Sequence, residues 1–223
     1  MSPGSALEIE IPAGDRTVAG SLGLVDRPLG VVVFAHGSGS GRHSPRNQAV
    51  AATLRDRRLD TLLMDLLTPE EEVDRANVFD VDLLAGRLLE ATADLSHRRE
   101  TQGLPVGYFG ASTGAGAALV AAADRPETAA VVSRGGRPDL AGDRLAVVRA
   151  PTLLIVGGED PAVLEMNREA LDLMTCERDL RVIPGAGHLF EEAGALEQVA
   201  RLAGDWFTRH LEGASPAADG PSG

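Results

Sequence analysis

Ser112 lies in the stretch GYFGASTGAGA with Gly110 two residues before it and Gly114 two residues after it, the G-x-S-x-G spacing of a nucleophile elbow. The run VGYFGA ahead of it reads as a strand and TGAGAALV behind it as a helix, so the hydroxyl falls at a strand-to-helix turn. Such a turn strains the serine backbone, and glycines on either side remove the side chains that would strike the adjoining strand and helix. Alone, the motif has a second reading, a glycine-rich turn whose serine or threonine caps a helix.

A serine hydroxyl attacks a carbonyl carbon only when a base takes its proton and an acid orients that base. Asp160 ends the apolar run PTLLIVGGED, and His188 follows LRVIPGAG and precedes the last helical pattern. The order Ser112, Asp160, His188 is the order of an elbow serine, its acid and its base. Taken singly, Asp160 is a candidate helix cap for AVLEMNREALDLM and His188 a loop residue; their joint placement at strand ends favours the triad, with Glu159 as the rival acid. The developing oxyanion needs fixed donors. The loop HGSGSG, His36 to Gly41, follows the strand-like GVVVFA, so the expected donors are the backbone N–H groups of Thr113 and Ser38, with Gly37 and Gly39 as near alternatives.

His36 and Gly37 are expected to border the substrate. Arg134 and Arg137, in VVSRGGRPDL, follow another strand on the same edge. Each either holds a substrate carboxylate or phosphate through its planar fork or pairs with an acid such as Asp139. Arg42, His43 and Asn47 face a similar choice between lining the pocket and pinning the glycine loop.

These residues converge only if several strand ends meet. Leu7–Ile11 and Thr17–Val25 flank the turn signal PAGD and predict an N-terminal antiparallel hairpin. Six later runs, from GVVVFAHG to LRVIPGAG, are short, nearly continuous and rich in Val and Leu, as expected of strands covered on both faces. Helical patterns alternate with them over roughly Pro45–Leu59, Val78–Gln102, Gly114–Ala123, Ala162–Met174 and Ala195–Leu211. The fold class is α/β: a doubly wound, mostly parallel sheet in one domain over residues 1–212, with a disordered tail from Gly213. No insertion between Ala129 and Leu153 is long enough for a large cap domain, which predicts an open site. The acidic stretch Thr68–Asp80 either covers one side of the cleft or is a solvated link.

A formal charge of −12 argues against a nucleic-acid partner, because proteins that release counterions from phosphate backbones concentrate basic residues. No apolar run approaches the ~20 residues of a membrane span, and the first residues lack the basic start and apolar middle of a secretory signal, so a cytoplasmic chain is expected. Cys176, the single cysteine, cannot form an intramolecular disulfide and lies in a helical pattern, which points to a structural role. HGSGSG followed by Asp65 mimics a dinucleotide fingerprint, but its glycines run G-x-G-x-G, and the loop lacks the Lys-Ser/Thr ending of a P-loop. His36 and His43 find no third ligand at metal spacing. Neither a cofactor nor a metal is expected.

On these residues the chain resembles an α/β-hydrolase, and more narrowly the small, lidless dienelactone hydrolase-like proteins. The segments that carry the likeness are HGSGSGRHSPRN, GASTGAGAAL, VVSRGGRPDLA, LLIVGGEDPAVLEMN and PGAGHLFEEAGALEQVARLAGDWF, roughly Val31 to Phe207. The resemblance implies α/β-hydrolase topology and acyl-ester hydrolysis without metal or organic cofactor. Dienelactone hydrolases carry a cysteine at the elbow, whereas this chain has Ser112. Some relatives of this kind are fused to phosphoribosyltransferase domains, for which 223 residues leave no length. The expected partner is a small-molecule ester or lactone, with no nucleic acid or membrane, and the chain a monomer or homodimer. An acyltransferase with the same nucleophile and an inactive binding module are the alternatives.

Overall fold

Residues 6–214 are described by a computed structural model. The apolar runs become eight strands: β1 (Leu7–Ala13), β2 (Arg16–Gly23), β3 (Gly30–Ala35), β4 (Leu59–Met64), β5 (Val106–Ala111), β6 (Ala130–Arg134), β7 (Thr152–Gly157) and β8 (Arg178–Ile183). They form one sheet in the order β1-β2-β4-β3-β5-β6-β7-β8. The β1–β2 hairpin pairs antiparallel and joins β4 antiparallel, and every later pairing is parallel. Every residue of β3, β4, β5 and β7 is buried, which is why these strands read as continuous apolar runs rather than as alternation. At the open edge, β8 carries Arg178, Asp179 and Arg181 and is mostly accessible, a composition that discourages edge-to-edge pairing.

The connections form α1 (Pro45–Asp56), α2 (Pro69–Glu72), α3 (Arg75–Phe79), α4 (Val81–His97), α5 (Thr113–Asp124), a 3-10 stretch Pro138–Val147, α6 (Pro161–Leu173) and α7 (Ala195–Glu212). Two cores result. Leu84, Leu88 and Leu95 of α4, the small residues of α5 and Ala170 of α6 cover one face of the sheet. Val50 and Leu54 of α1 with Val199, Ala203 and Phe207 of α7 cover the other, against Val32, Phe109 and Val132. The doubly wound architecture with its N-terminal hairpin is thus present, and the connection between β6 and β7 is filled by the 3-10 stretch rather than by a cap domain.

Helix bounds differ from expectation where polar caps intervene. The helix expected over Val78–Gln102 is interrupted at Asp80, whose carboxylate accepts the Leu83 N–H at 3.0 Å and restarts the chain as α4. The helix expected to reach Leu59 stops at Asp56. Arg58 turns the chain at φ 63°, and Leu59 is already in β4. At the C-terminus α7 ends on Glu212 with Gly213 as its cap; the remainder of the expected tail, residues 215–223, lies outside the described residues. No helix among the described residues is long and apolar enough to cross a membrane.

Candidate active site

Ser112 links β5 to α5 with φ 51° and ψ −122°, a conformation that L-residues avoid and that a sharp elbow imposes. Its N–H donates to the Arg134 carbonyl at 3.3 Å, and its own carbonyl accepts from the Ala115 and Arg137 N–H groups, both at 3.0 Å. The turn is clamped between β5, the β6 end and α5, which leaves the hydroxyl at the carboxyl edge of the sheet. The flanking glycines are required by packing: a Cβ on Gly110 would stand 2.4 Å from Ala115 Cα, and one on Gly114 would stand 2.3 Å from the Ala35 carbonyl oxygen.

Asp160 occupies the residue before α6, the position of a helix cap, yet its side chain caps nothing. Its Oδ2 instead accepts from His188 Nδ1 at 2.7 Å. Asp160 is largely enclosed while His188 is open to solvent, its side chain 42% exposed. Glu159, the rival acid, is exposed, and its N–H donates to the Ala186 carbonyl at 2.9 Å while its carboxylate takes no hydrogen bond among the described residues. The histidine loop is held by Gly187 N–H to Glu192 Oε1 at 3.0 Å and by Arg46 Nη1 to Glu191 Oε1 at 3.2 Å. A Cβ on Gly135 would stand 3.7 Å from His188 Cε1. The Arg134–Gly135 link therefore touches both the serine and the histidine.

The glycine loop after β3 reaches the same place, since a Cβ on Gly37 would lie 3.0 Å from Ser112 Cβ. Of the two expected oxyanion donors, Thr113 N–H stands at the first position of α5, where no intrahelical acceptor exists. The Ser38 N–H is already engaged, donating to Thr113 Oγ1 at 3.1 Å. An oxyanion that uses Ser38 has to displace that hydroxyl, a coupling between loop and helix that no spacing in the sequence announces.

His36 lines the pocket beside the glycine loop and is also held as part of the structure. It is buried, with Nδ1 3.0 Å from the Gly37 carbonyl and Nε2 accepting the Leu66 N–H at 3.1 Å, so both ring nitrogens are occupied and the proton belongs on Nδ1. Burial holds its pKa below the ordinary 6.5. Between the lowered folded value and 6.5 the unfolded chain binds a proton that the folded chain refuses, so this contribution is complete above 6.5 and is lost as pH falls. Asp60, pushed up to about 6 by burial, acts in the opposite sense, because the folded chain holds its proton more firmly than the unfolded one. His36→Gln isolates the histidine by difference. Below 6.5 the wild-type melting temperature is expected to fall more steeply than that of the variant; parallel curves would dissociate His36 from the loop's acid sensitivity.

Arg42 pins the loop rather than lining the pocket, with Nη1 2.7 Å from Asp65 Oδ2 and its N–H 2.9 Å from Asp65 Oδ1. The carboxylate that resembled a ribose acid is thus consumed by the loop itself. Asn47 is buried in α1, and His43 is exposed. Arg137 spends its fork on Asp139 at 2.8 and 2.7 Å, and that pairing holds its pKa above the usual value. Arg134 has no such partner. Burial and the neighbouring Arg46 push its guanidinium down to about 10, which leaves it charged at neutral pH. The thiol of Cys176 is half-buried with a raised pKa, chiefly from burial, the opposite of an activated nucleophile. Among the described residues no group of three potential metal ligands converges.

Beside the oxyanion loop opens a pocket of about 270 Å³, reached past Gly37, Ser38 and Thr113 and walled by Leu66, Leu67, Val78 and Leu84, with Glu72 among its lining residues. Its apolar wall comes from the end of β4, from α3 and from α4. The stretch Thr68–Asp80 thus forms two short helices that contribute Val78 and Glu72 to the cleft, rather than a bare solvated link. The signal for α2 was present as T-P-E-E: Thr68 and Glu71 make a reciprocal capping box.

The model of the Dienelactone hydrolase family matches residues 67–212. The chain belongs to the dienelactone hydrolase family. This family member is similar to a dienelactone hydrolase from Anabaena variabilis, 55% identical, with a TM-score of 0.90 over 93% of this chain and 98% of that one. Est1E from Butyrivibrio proteoclasticus shares the fold at a TM-score of 0.78 and 14% identity, over 93% of this chain and 99% of that one. Two Mycobacterium tuberculosis proteins, each named "Putative phosphoribosyl transferase", are 61% identical over 211 residues. That match covers 94% of this chain and 48% of theirs, so the chain spans about half the length of these relatives.

Proposed function

We propose that this hydrolase-fold chain cleaves carboxylic esters or lactones of small molecules through an acyl-enzyme on Ser112. The observation that carries the reading is the 2.7 Å bond from His188 Nδ1 to Asp160 at the sheet edge where Ser112 is held in an elbow; no hydrogen bond joins Ser112 to His188 among the described residues. That bond fixes the imidazole proton on Nδ1 and presents Nε2 as a base. His188 takes the Ser112 proton as Oγ adds to the ester carbonyl, the Thr113 and Ser38 N–H groups receive the oxyanion, and the imidazolium returns the proton to the leaving alcohol. A water deprotonated by His188 then attacks the acyl-enzyme, and collapse of the second tetrahedral intermediate frees the acid and restores Ser112.

The exposure of His188 favours hydrolysis over transfer to another acceptor, because water reaches the base without a closing lid. The acyl group is assigned to the 270 Å³ pocket, whose apolar wall suits a short hydrocarbon chain. We assign this ester chemistry to the half of the Mycobacterium tuberculosis relatives that the chain matches; phosphoribosyl transfer, named for the longer proteins, belongs in this reading to their unmatched half.

Intact-mass analysis after treatment with a fluorophosphonate tests the proposal. One adduct on the wild type and none on Ser112→Ala is the expected pair of results. An unlabelled wild type that melts cooperatively would remove the activated serine and leave a binding module.

A further inference from the structure

Arg134 is a partly buried cation that is left unpaired among the described residues. Its guanidinium makes no hydrogen bond and no ion pair with any described residue, and Nη1 is shielded from solvent without a partner. Burying an unpaired charge is costly. Arg87 shows the ordinary solution, a buried guanidinium held by Glu71 at 2.7 Å and Glu90 at 3.1 Å. Around Arg134 the charge that matters is of the same sign: Arg46 of α1 bonds Glu191 in the loop that carries His188, next to which Gly135 lies, and it weakens the hold of Arg134 on a proton.

The place of this cation matters as much as its lack of a partner. The Arg134 carbonyl accepts the Ser112 N–H, and Gly135 packs against the His188 ring. Ala130 and Val132 point into the core beneath α1 and α7, so strand alternation sends the Arg134 side chain toward that same face. The apolar pocket lies on the other side of Ser112, beside α4, with Glu72 among its lining residues. A substrate laid across the serine thus meets an apolar cleft with one negative charge on one side and an unneutralised guanidinium on the other.

We propose that Arg134, with Arg46 beside it, is a binding site for a phosphate group carried by the ester substrate. A carboxylate would spend both oxygens on one guanidinium fork, whereas a phosphate dianion has a third oxygen to face the second guanidinium. Glu191 pairs with Arg46 alone, which leaves the charge of Arg134 for the ligand to meet. The substrate class this defines is a phosphorylated ester or lactone with a short apolar acyl portion. It rests on the proposed hydrolase activity for the word substrate, but not for the binding itself.

Inorganic phosphate is the probe. Thermal melts of wild type, Ser112→Ala, Arg134→Met and Arg46→Gln are compared in millimolar sodium phosphate and in sodium chloride of equal ionic strength. Phosphate is expected to raise the melting temperature of wild type and Ser112→Ala alike. Arg134→Met should be at least as stable as wild type in chloride, having lost an unpaired buried charge, and should bind phosphate roughly tenfold or more weakly, with Arg46→Gln in between. Arg134→Lys, which keeps the charge without the fork, gives the same test if the methionine variant does not fold. A shift that chloride reproduces, that survives in both Arg134 variants, or that acetate produces and phosphate does not would overturn the assignment. Because Ser112→Ala binds phosphate without turnover, a missing fluorophosphonate adduct removes the hydrolase reading alone and a missing phosphate shift removes the subsite alone.

Discussion

Asp160→Asn is expected to fold like the wild type and to hydrolyse a chromogenic ester about 10⁴-fold more slowly in kcat, with KM little changed. Asp160 does no chemistry of its own in the proposed mechanism; its Oδ2 holds the His188 proton on Nδ1 at 2.7 Å. An asparagine amide turned toward the ring donates instead of accepting, which drives the proton to Nε2 and leaves no base for Ser112. The helix need not suffer, since the Asp160 side chain makes no cap bond in α6. Glu159→Gln is the control and should retain nearly full activity, because that side chain takes no part in the His188 bond. If Glu159→Gln were the damaging change and Asp160→Asn the mild one, the acid would have to be reassigned.

The second large effect is structural. Gly114→Ala places a methyl group 2.3 Å from the Ala35 carbonyl oxygen and 2.5 Å from that of His36, both rigid backbone. Nothing flexible can yield, so β3 and α5 must separate at the point where the glycine loop meets the nucleophile. The expected loss is about 3 kcal/mol or more. For a domain of this size that corresponds to a fall of about 6–12 °C in melting temperature. Activity should fall further than stability does, because the displaced strand end carries His36, Gly37 and Ser38. Gly86→Ala is the matched comparison: it lies inside α4 with open space around its Cα, so the same added methyl should stabilise by about 0.5–1 kcal/mol. A calorimetric melt that ranks the two variants together would show that helix propensity, rather than contact with β3, governs Gly114.

The fold and the placement of the candidate trio at strand ends were legible because each rests on a local signal. Ser112, Asp160 and His188 each follow an apolar run broken by glycine; the first two runs are the buried parallel strands β5 and β7, and the third is the more accessible edge strand β8. The roles of the charged residues were not legible in the same way. Arg134 and Arg137 stand three positions apart in one segment; one closes on Asp139 two residues away, while the other is turned inward by strand alternation to a face without a carboxylate for it. No composition or spacing encodes that difference. The hydrogen bond that fixes the His36 ring had no signal in the sequence, because the Leu66 N–H it accepts comes from beyond a distant strand end. The pocket wall escaped for the same reason, being assembled from Leu66, Val78 and Leu84, whose side chains meet only after β4, α3 and α4 have packed.

The order of the strands has a kinetic consequence. The hairpin β1–β2 pairs neighbours in the chain, but β3 waits for β5 across α1, β4 and α2 to α4, and β7 waits for β8 across α6. Pairings of this kind close long loops before any contact rewards them, and they form late. Since Ser112, Asp160 and His188 each follow the end of a different parallel strand, a refolding chain should regain its helical signal well before any of the proposed ester hydrolysis, and that activity should time the docking of β8 against β7.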